Sequence, residues 1–292
     1  MADVLDSLGS LELKDNRLQQ ALQAYKEAHD LYSQLAVGNP ERYSYGVGST
    51  LNNIGLVMRR ENRVEEALEA YEKALAVERR VAQADNDRFR PEIARTLNNL
   101  GSLHLNHNQI LVNDSRRRKA EAAYVEALSI FERLAQVNPE TYMPEVAGLQ
   151  NNLGLFYHSE NHRAKALRSY QSALSTYQSL AVIDPKVYVA DVAMVFSNLG
   201  DLNREDGRLN EAMLAYQEAL ATYRTLAKSS PGTYLEDVAS VRWHMGWVHS
   251  LAGERDYAQR AYGEALEIYE GLLARGLPVE RQIRFLRVDI SR

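Results

Sequence analysis

A glycine preceded by an apolar residue returns along the chain at Gly9, Gly55, Gly101, Gly154, Gly200 and Gly246, with separations of 46, 46, 53, 46 and 46 residues. Each is followed at a matching distance by Ala-x-x-x-Tyr: Ala21/Tyr25, Ala67/Tyr71, Ala120/Tyr124, Ala166/Tyr170, Ala212/Tyr216 and Ala258/Tyr262. Three residues past each tyrosine stands another alanine: Ala28, Ala74, Ala127, Ala173, Ala219 and Ala265. Self-similarity at a fixed period is the mark of a repeat array. The chain's 292 residues also exceed what a single compact core usually takes.

The repeating residues read as two packed helices per unit. Glycine inside a helix costs about 1 kcal/mol relative to alanine, so its recurrence asks for a packing reason, and close approach of two helices is the simplest. Alanines at i and i+7 share one helical face and let a neighbouring axis come near. A second aromatic series, Tyr32, Phe131, Tyr177, Tyr223 and Tyr269, continues that face, and Glu78 interrupts it in the second unit. Between units the chain reads Asn39-Pro40-x-x-Tyr43, Asn138-Pro139-x-x-Tyr142, Asp184-Pro185-x-x-Tyr188 and Ser230-Pro231-x-x-Tyr234. Proline ends the preceding helix, since it lacks an N–H and restricts its neighbour. Asn62-Arg63 and Gly207-Arg208 supply the turns within units.

Composition narrows the function classes. With a net charge of -5, the chain lacks the concentrated basic face that phosphate binding needs. There is no cysteine, which excludes disulfides, thiolate nucleophiles and Cys-based zinc sites. No apolar run reaches the ~18 residues of a membrane span. Met1-Ala2-Asp3-Val4 is unlike a signal peptide, so the expected compartment is the cytoplasm.

Leu-Gly, then Ala-x-x-x-Tyr, then Ala resembles the tetratricopeptide repeat (TPR), whose usual period is about 34 residues. Leu51-Asn52-Asn53-Ile54-Gly55, repeated as Leu97-Asn98-Asn99-Leu100-Gly101, is similar to the long-helix variety of kinesin light chains and bacterial TPR proteins. The resemblance implies an all-α, right-handed α-solenoid of about six helix–turn–helix repeats. The expected units are 1–38, 39–84, 85–137, 138–183, 184–229 and 230–275, forming one domain, with 276–292 as a C-terminal capping helix or, alternatively, a cut end of a longer protein. It further implies a protein–protein interaction scaffold that binds a peptide or protein segment on its concave face. A regulatory or self-assembly module of a larger multidomain protein is the alternative, with self-association through exposed terminal helices.

In such stacks the first helix of each pair lines the inner face. Asn52, Asn53, Asn98, Asn99, Asn151, Asn152 and Asn198 fall two or three residues before the repeat glycines. Asparagine is a mediocre helix former. Its recurrence points either to amides that pair with an extended peptide backbone or to bridges between adjacent repeats. Trp243 and Trp247, at i and i+4, would anchor a ligand side chain or pack against the C-terminal cap. Arg59 and Arg95 would meet acidic groups of a partner. The lysine that chaperone-tail receptors use is missing from the matching first-helix positions.

Nothing points to catalysis: no phosphate loop, Gly-x-Ser-x-Gly elbow or His-Glu-x-x-His is present. His104/His107 and His158/His162 have the spacing of a metal pair, but His162 falls in a turn, and neither a metal nor a cofactor is expected. The seven-residue insertion around residues 109–119, which ends in Arg116-Arg117-Arg118-Lys119, reads as an enlarged turn whose charges open the next helix at the surface, with a basic docking loop as the alternative. The expected partner is therefore a protein or peptide, with neither nucleic acid nor membrane.

Overall fold

The structure is a computed structural model that describes residues 1–83, 89–104 and 114–291. Among these residues every regular element is an α-helix. In chain order they are α1 (Ala2–Lys14), α2 (Leu18–Gly38), α3 (Pro40–Arg60), α4 (Val64–Ala82), α5 (Arg90–His104), α6 (Asp114–Val137) and α7 (Pro139–Ser159). There follow α8 (Arg163–Ile183), α9 (Pro185–Glu205), α10 (Leu209–Ser229), α11 (Pro231–Leu251), α12 (Arg255–Leu273) and α13 (Glu280–Ile290). None of them is long and apolar enough to cross a membrane, among the described residues.

The helix boundaries sit where local chemistry puts them. Pro40, Pro185 and Pro231 occupy the first turn of their helices, where a missing N–H costs nothing. Asn39 caps α3 by accepting the Arg42 N–H at 3.1 Å, and Asn138 accepts from the Thr141 N–H at 3.2 Å. Within pairs, the chain leaves the first helix through a left-handed residue, Asn62 at φ 60° in one case and Gly207 at φ 73° in another.

The chain divides into two compact units, Met1–Leu153 and Gly154–Arg292. In the first, each helix from α1 to α6 packs on its sequence neighbours, and α3 also meets α5. In the second, α8 to α13 do the same, and α9 meets α11. Contact between first helices of successive pairs is what stacks one repeat on the next. The all-α class and the TPR-like helix pairs follow the expectation from the repeat.

The conserved spacing of glycine and tyrosine has a direct steric basis. The six tyrosine rings are buried, and each lies over the glycine of its own pair. A Cβ at Gly55 would sit 2.7 Å from the Tyr71 ring, and one at Gly101 2.8 Å from that of Tyr124. The glycine therefore makes room for an aromatic ring, rather than for a second helix backbone. Alanines such as Ala67 and Ala74, both fully buried, flank the ring on the second helix.

Helix α13 packs on α12. Val279, Ile283 and Leu286 are buried with Tyr269 and Leu272 of α12, while Arg281, Arg284 and Arg287 stay exposed. Residues 109–113 of the insertion lie outside the described residues, and its remainder opens α6. Its arginines are helical and at the surface: Arg116 pairs with Glu65 at 2.8 Å and Arg117 faces Asp114 at 3.8 Å.

Candidate functional site

In the first unit the asparagines form a ladder between first helices. Asn53 on α3 donates from Nδ2 to Asp6 Oδ1 on α1 at 3.0 Å. Asn99 on α5 donates to Asn52 Oδ1 on α3 at 2.9 Å. Asn152 on α7 donates to Asn98 Oδ1 on α5 at 2.9 Å. The rule is constant: the residue two before one glycine donates to the residue three before the preceding glycine. A repeat that donates to the one before and accepts from the one after needs a polar side chain at both positions, and Asn fills both in the second and third repeats. Asn151 is buried, whereas Asn52, Asn53, Asn98, Asn99 and Asn152 are half-buried. Each rung uses one N–H of one amide and the oxygen of its acceptor. A side-chain amide offers about four hydrogen-bonding positions, so each rung leaves capacity on both partners.

Beside the ladder lies a buried carboxyl. Glu78 on α4 is 4% exposed and accepts from Thr96 Oγ1 at 3.0 Å; Thr96 also reaches Asn52 Oδ1 at 3.3 Å. Its other oxygen, Oε2, is buried with no partner among the described residues. Burial pushes this carboxyl up to about 7, opposed by the Thr96 bond and helped by the Glu92 charge. The sequence marks the place, since Glu78 breaks the aromatic series, but not the network it enters.

Arg95 on α5 is exposed and stands 3.3 Å from Glu145 and 3.5 Å from Glu92. Arg59 on α3 is half-buried and makes no ion pair with a described residue. Its charge lies near the Tyr71 and Tyr124 hydroxyls.

The second unit replaces the amides with a charged and aromatic cluster that periodicity alone did not disclose. Asp201 Oδ1 accepts from the Tyr216 hydroxyl at 2.7 Å and lies 3.3 Å from His244 Nδ1. The His244 ring stacks on Trp247 with centroids 4.9 Å apart, and the Arg204 guanidinium lies 5.1 Å from the Trp247 ring centre. Burial holds His244 below the usual histidine range. Asn198 is half-buried on the same helix as Asp201. Trp243 and Trp247 both donate their indole N–H to Asp289 Oδ2 on α13, at 2.7 and 2.8 Å. The tryptophans thus pack against α13, one of the two arrangements their spacing allowed.

The histidine pairs divide. His107 and the side chain of His104 lie outside the described residues. His158 Nε2 is 2.9 Å from Glu205 Oε2, and His162 stands before α8 with its ring 6.3 Å from Tyr157. Among the described residues no group of three or more His, Asp or Glu side chains is placed to hold a metal ion.

A glycine on the first helix that seats a tyrosine ring from the second, flanked by small alanines and repeated through both units, decides the kind of repeat. A family model for the tetratricopeptide repeat matches residues 47–86 and 192–230. The chain is built of tetratricopeptide repeats. No curated protein matches it in sequence. Among solved structures it is similar to BtubC (BKLC) from P. vanneervenii, at 21% identity and a TM-score of 0.68, covering 87% of this chain and 92% of that one. It is also similar to the S. pombe nuclear import adaptor Nro1, at 12% identity and a TM-score of 0.58, covering 98% and 96%. A third is the TPR sensor-containing STAND ATPase PH0952 from Pyrococcus horikoshii, at 13% identity and 0.66, covering 92% of this chain and 38% of that one. At these identities the likeness is one of fold.

Proposed function

We propose that these tetratricopeptide repeats form a protein-interaction scaffold whose first-helix face binds an extended segment of a partner protein. The observation that carries the reading is the ladder of half-buried amides. Asn52, Asn53, Asn98, Asn99 and Asn152 are held in register by their own rungs, so they are oriented before a ligand arrives. Ordered groups lose little further entropy on binding. Their remaining donors and acceptors match those of a peptide backbone. Arg59 and Arg95 flank the ladder and favour an acidic side chain in the partner. In the second unit both indole N–H groups are held by Asp289 and the Trp247 ring lies against His244 and Arg204, so the Trp pair supports this reading less than the ladder does. The reading needs no cofactor and no catalytic residue. One of the similar folds belongs to a protein described as a nuclear import adaptor, which accords with a binding role.

The test places a photo-crosslinking amino acid at Ser49, on the first helix of the second repeat, in the native host, alongside Arg59→Glu and Arg95→Glu variants. These two residues lie beside the ladder and outside the core. Crosslinks to one defined partner segment, lost in the charge-reversed variants, are expected. Equal partner recovery by the variants, with no crosslink at Ser49, would sink the inner-face reading.

A further inference from the structure

The repeat makes every position comparable with its counterparts, and three counterparts disagree with the rest. Val4, Leu8 and Leu11 on α1 are 69%, 43% and 54% exposed. Repeat register equates Val4 with Thr50, Thr96, Leu149, Val195 and Val241, none above 2% exposed. Leu8 corresponds to Ile54, Leu100, Leu153, Leu199 and Met245, none above 8%, and Leu11 to Val57, Leu103, Phe156, Leu202 and Val248, none above 3%. An apolar stripe that is covered in five repeats lies open in the first.

The same register says what covers it. Thr50 is met by His29 of α2 at 3.2 Å, and Thr96 by Glu78 of α4 at 3.0 Å. Val241, Met245 and Val248 are buried with Tyr216, Leu220 and Tyr223 of α10. In each case the occupant is the second helix of the pair before, an amphipathic helix with apolar and aromatic residues three and four apart. Beside the open stripe runs a groove of about 450 Å³ between α1 and α2, lined by Leu5, Leu8, Glu12, Gln20, Gln23 and Glu27 among others. Its charged lining residues are two glutamates: Glu12 is paired with Arg17 at 2.6 Å, and Glu27 on α2 is exposed.

We infer that the open face of α1, with the α1–α2 groove, docks an amphipathic α-helix of a partner protein, seated as α10 sits on α11. The apolar stripe of that helix meets Val4, Leu8 and Leu11, and its Lys or Arg flank meets Glu27. This surface is separate from the amide ladder and does not depend on the inner-face reading.

The chain carries its own probe. A labelled peptide of residues 209–229 has the stripe that covers Val241, Met245 and Val248, and it bears Arg224 and Lys228. Titrated with the full chain and followed by fluorescence anisotropy, it is expected to bind saturably. Leu8→Asp with Leu11→Asp should weaken binding about tenfold or more, and Glu27→Lys should weaken it less. Circular dichroism melts should be unchanged, because these side chains are exposed. Arg59→Glu should leave this binding intact, which separates the inference from the inner-face reading. Absence of saturable binding, or binding indifferent to the Leu8 and Leu11 changes, would overturn it. So would a dimer in sedimentation that Leu8→Asp dissolves, since the occupant would then be a second copy of the chain.

Discussion

The Tyr216 hydroxyl donates to Asp201 at 2.7 Å, and Asp201 is the residue immediately after the glycine that seats the Tyr216 ring. The same offset recurs. The Tyr25 hydroxyl lies 3.1 Å from Ser10, and Tyr124 donates to Ser102 at 3.1 Å. In two repeats that next residue is a leucine, Leu56 or Leu155, and the buried hydroxyls of Tyr71 and Tyr170 have no partner among the described residues.

Opposite signs are therefore expected from one chemical change. Tyr216→Phe removes a hydrogen bond to a carboxylate that keeps Arg204 and His244 nearby, and should cost about 1–3 kcal/mol; Tyr124→Phe should cost about 1 kcal/mol. Tyr71→Phe and Tyr170→Phe remove an unsatisfied buried group and should be neutral or stabilising by up to about 1 kcal/mol. Urea unfolding of the four variants is the measurement. A uniform loss across all four would refute the offset rule.

The fold was legible because packing repeats. Gly55 and Tyr71, or Ala67 and Ala74, are dictated by contacts inside one helix pair, so each repeat writes the same residues. The asparagine pairs were legible as a pattern but ambiguous in purpose, because a rung needs the offset between repeats, which the one-dimensional spacing does not display. The Asp201, Arg204, His244 and Trp247 cluster was not legible, since it draws single residues from two helices and repeats nowhere else. The partner of the Trp pair, Asp289, was hidden for the same reason: α13 breaks the repeat register.

Glu78 makes stability depend on pH. Its carboxyl is pushed up to about 7 in the folded chain, against about 4.3 when unfolded. The folded state then binds more protons than the unfolded state between those two values. Stability from this group is fully present below about pH 4.3, falls as pH rises towards 7 and levels off above it, a loss on the order of 3 kcal/mol. Glu78→Gln keeps an oxygen for the Thr96 hydroxyl and removes the titration. It should flatten that part of the profile and unfold at higher denaturant than the parent at pH 8. An unchanged slope between pH 5 and 7 in the variant would show that Glu78 is not its source.

Two classes of helical glycine should respond oppositely to alanine. At Gly55 and Gly101 a Cβ meets a buried tyrosine ring at 2.7 and 2.8 Å, and the ring has nowhere to retreat. Overpacking of this kind costs about 1–3 kcal/mol, which offsets or exceeds the helix-propensity gain of about 1 kcal/mol. At Gly263 and Gly271 on α12 nothing lies within 4 Å of the added atom. Alanine there should stabilise by about 0.5–1 kcal/mol. Thermal melts of the four single variants decide the point, and stabilisation at Gly55 or Gly101 would contradict the ring-seat account.

Asp289 joins the two tryptophans to α13, so its removal should be visible in their fluorescence. The carboxylate accepts both indole N–H groups, and Asp289→Ala leaves two half-buried donors without it. Losing a charged acceptor should cost about 1.5–3 kcal/mol, concentrated where α13 rests on α11 and α12. Because α13 is only 11 residues long and buries few side chains, that cost falls on local opening more than on global unfolding. The expected result is a red-shifted tryptophan emission and faster proteolysis near Arg281 and Arg284, with the main unfolding transition little changed. Asp289→Asn retains an acceptor oxygen and should recover much of the parental spectrum. A parental emission spectrum in Asp289→Ala would mean that the apolar contacts of Ile283 and Leu286 hold α13 without the two indole bonds.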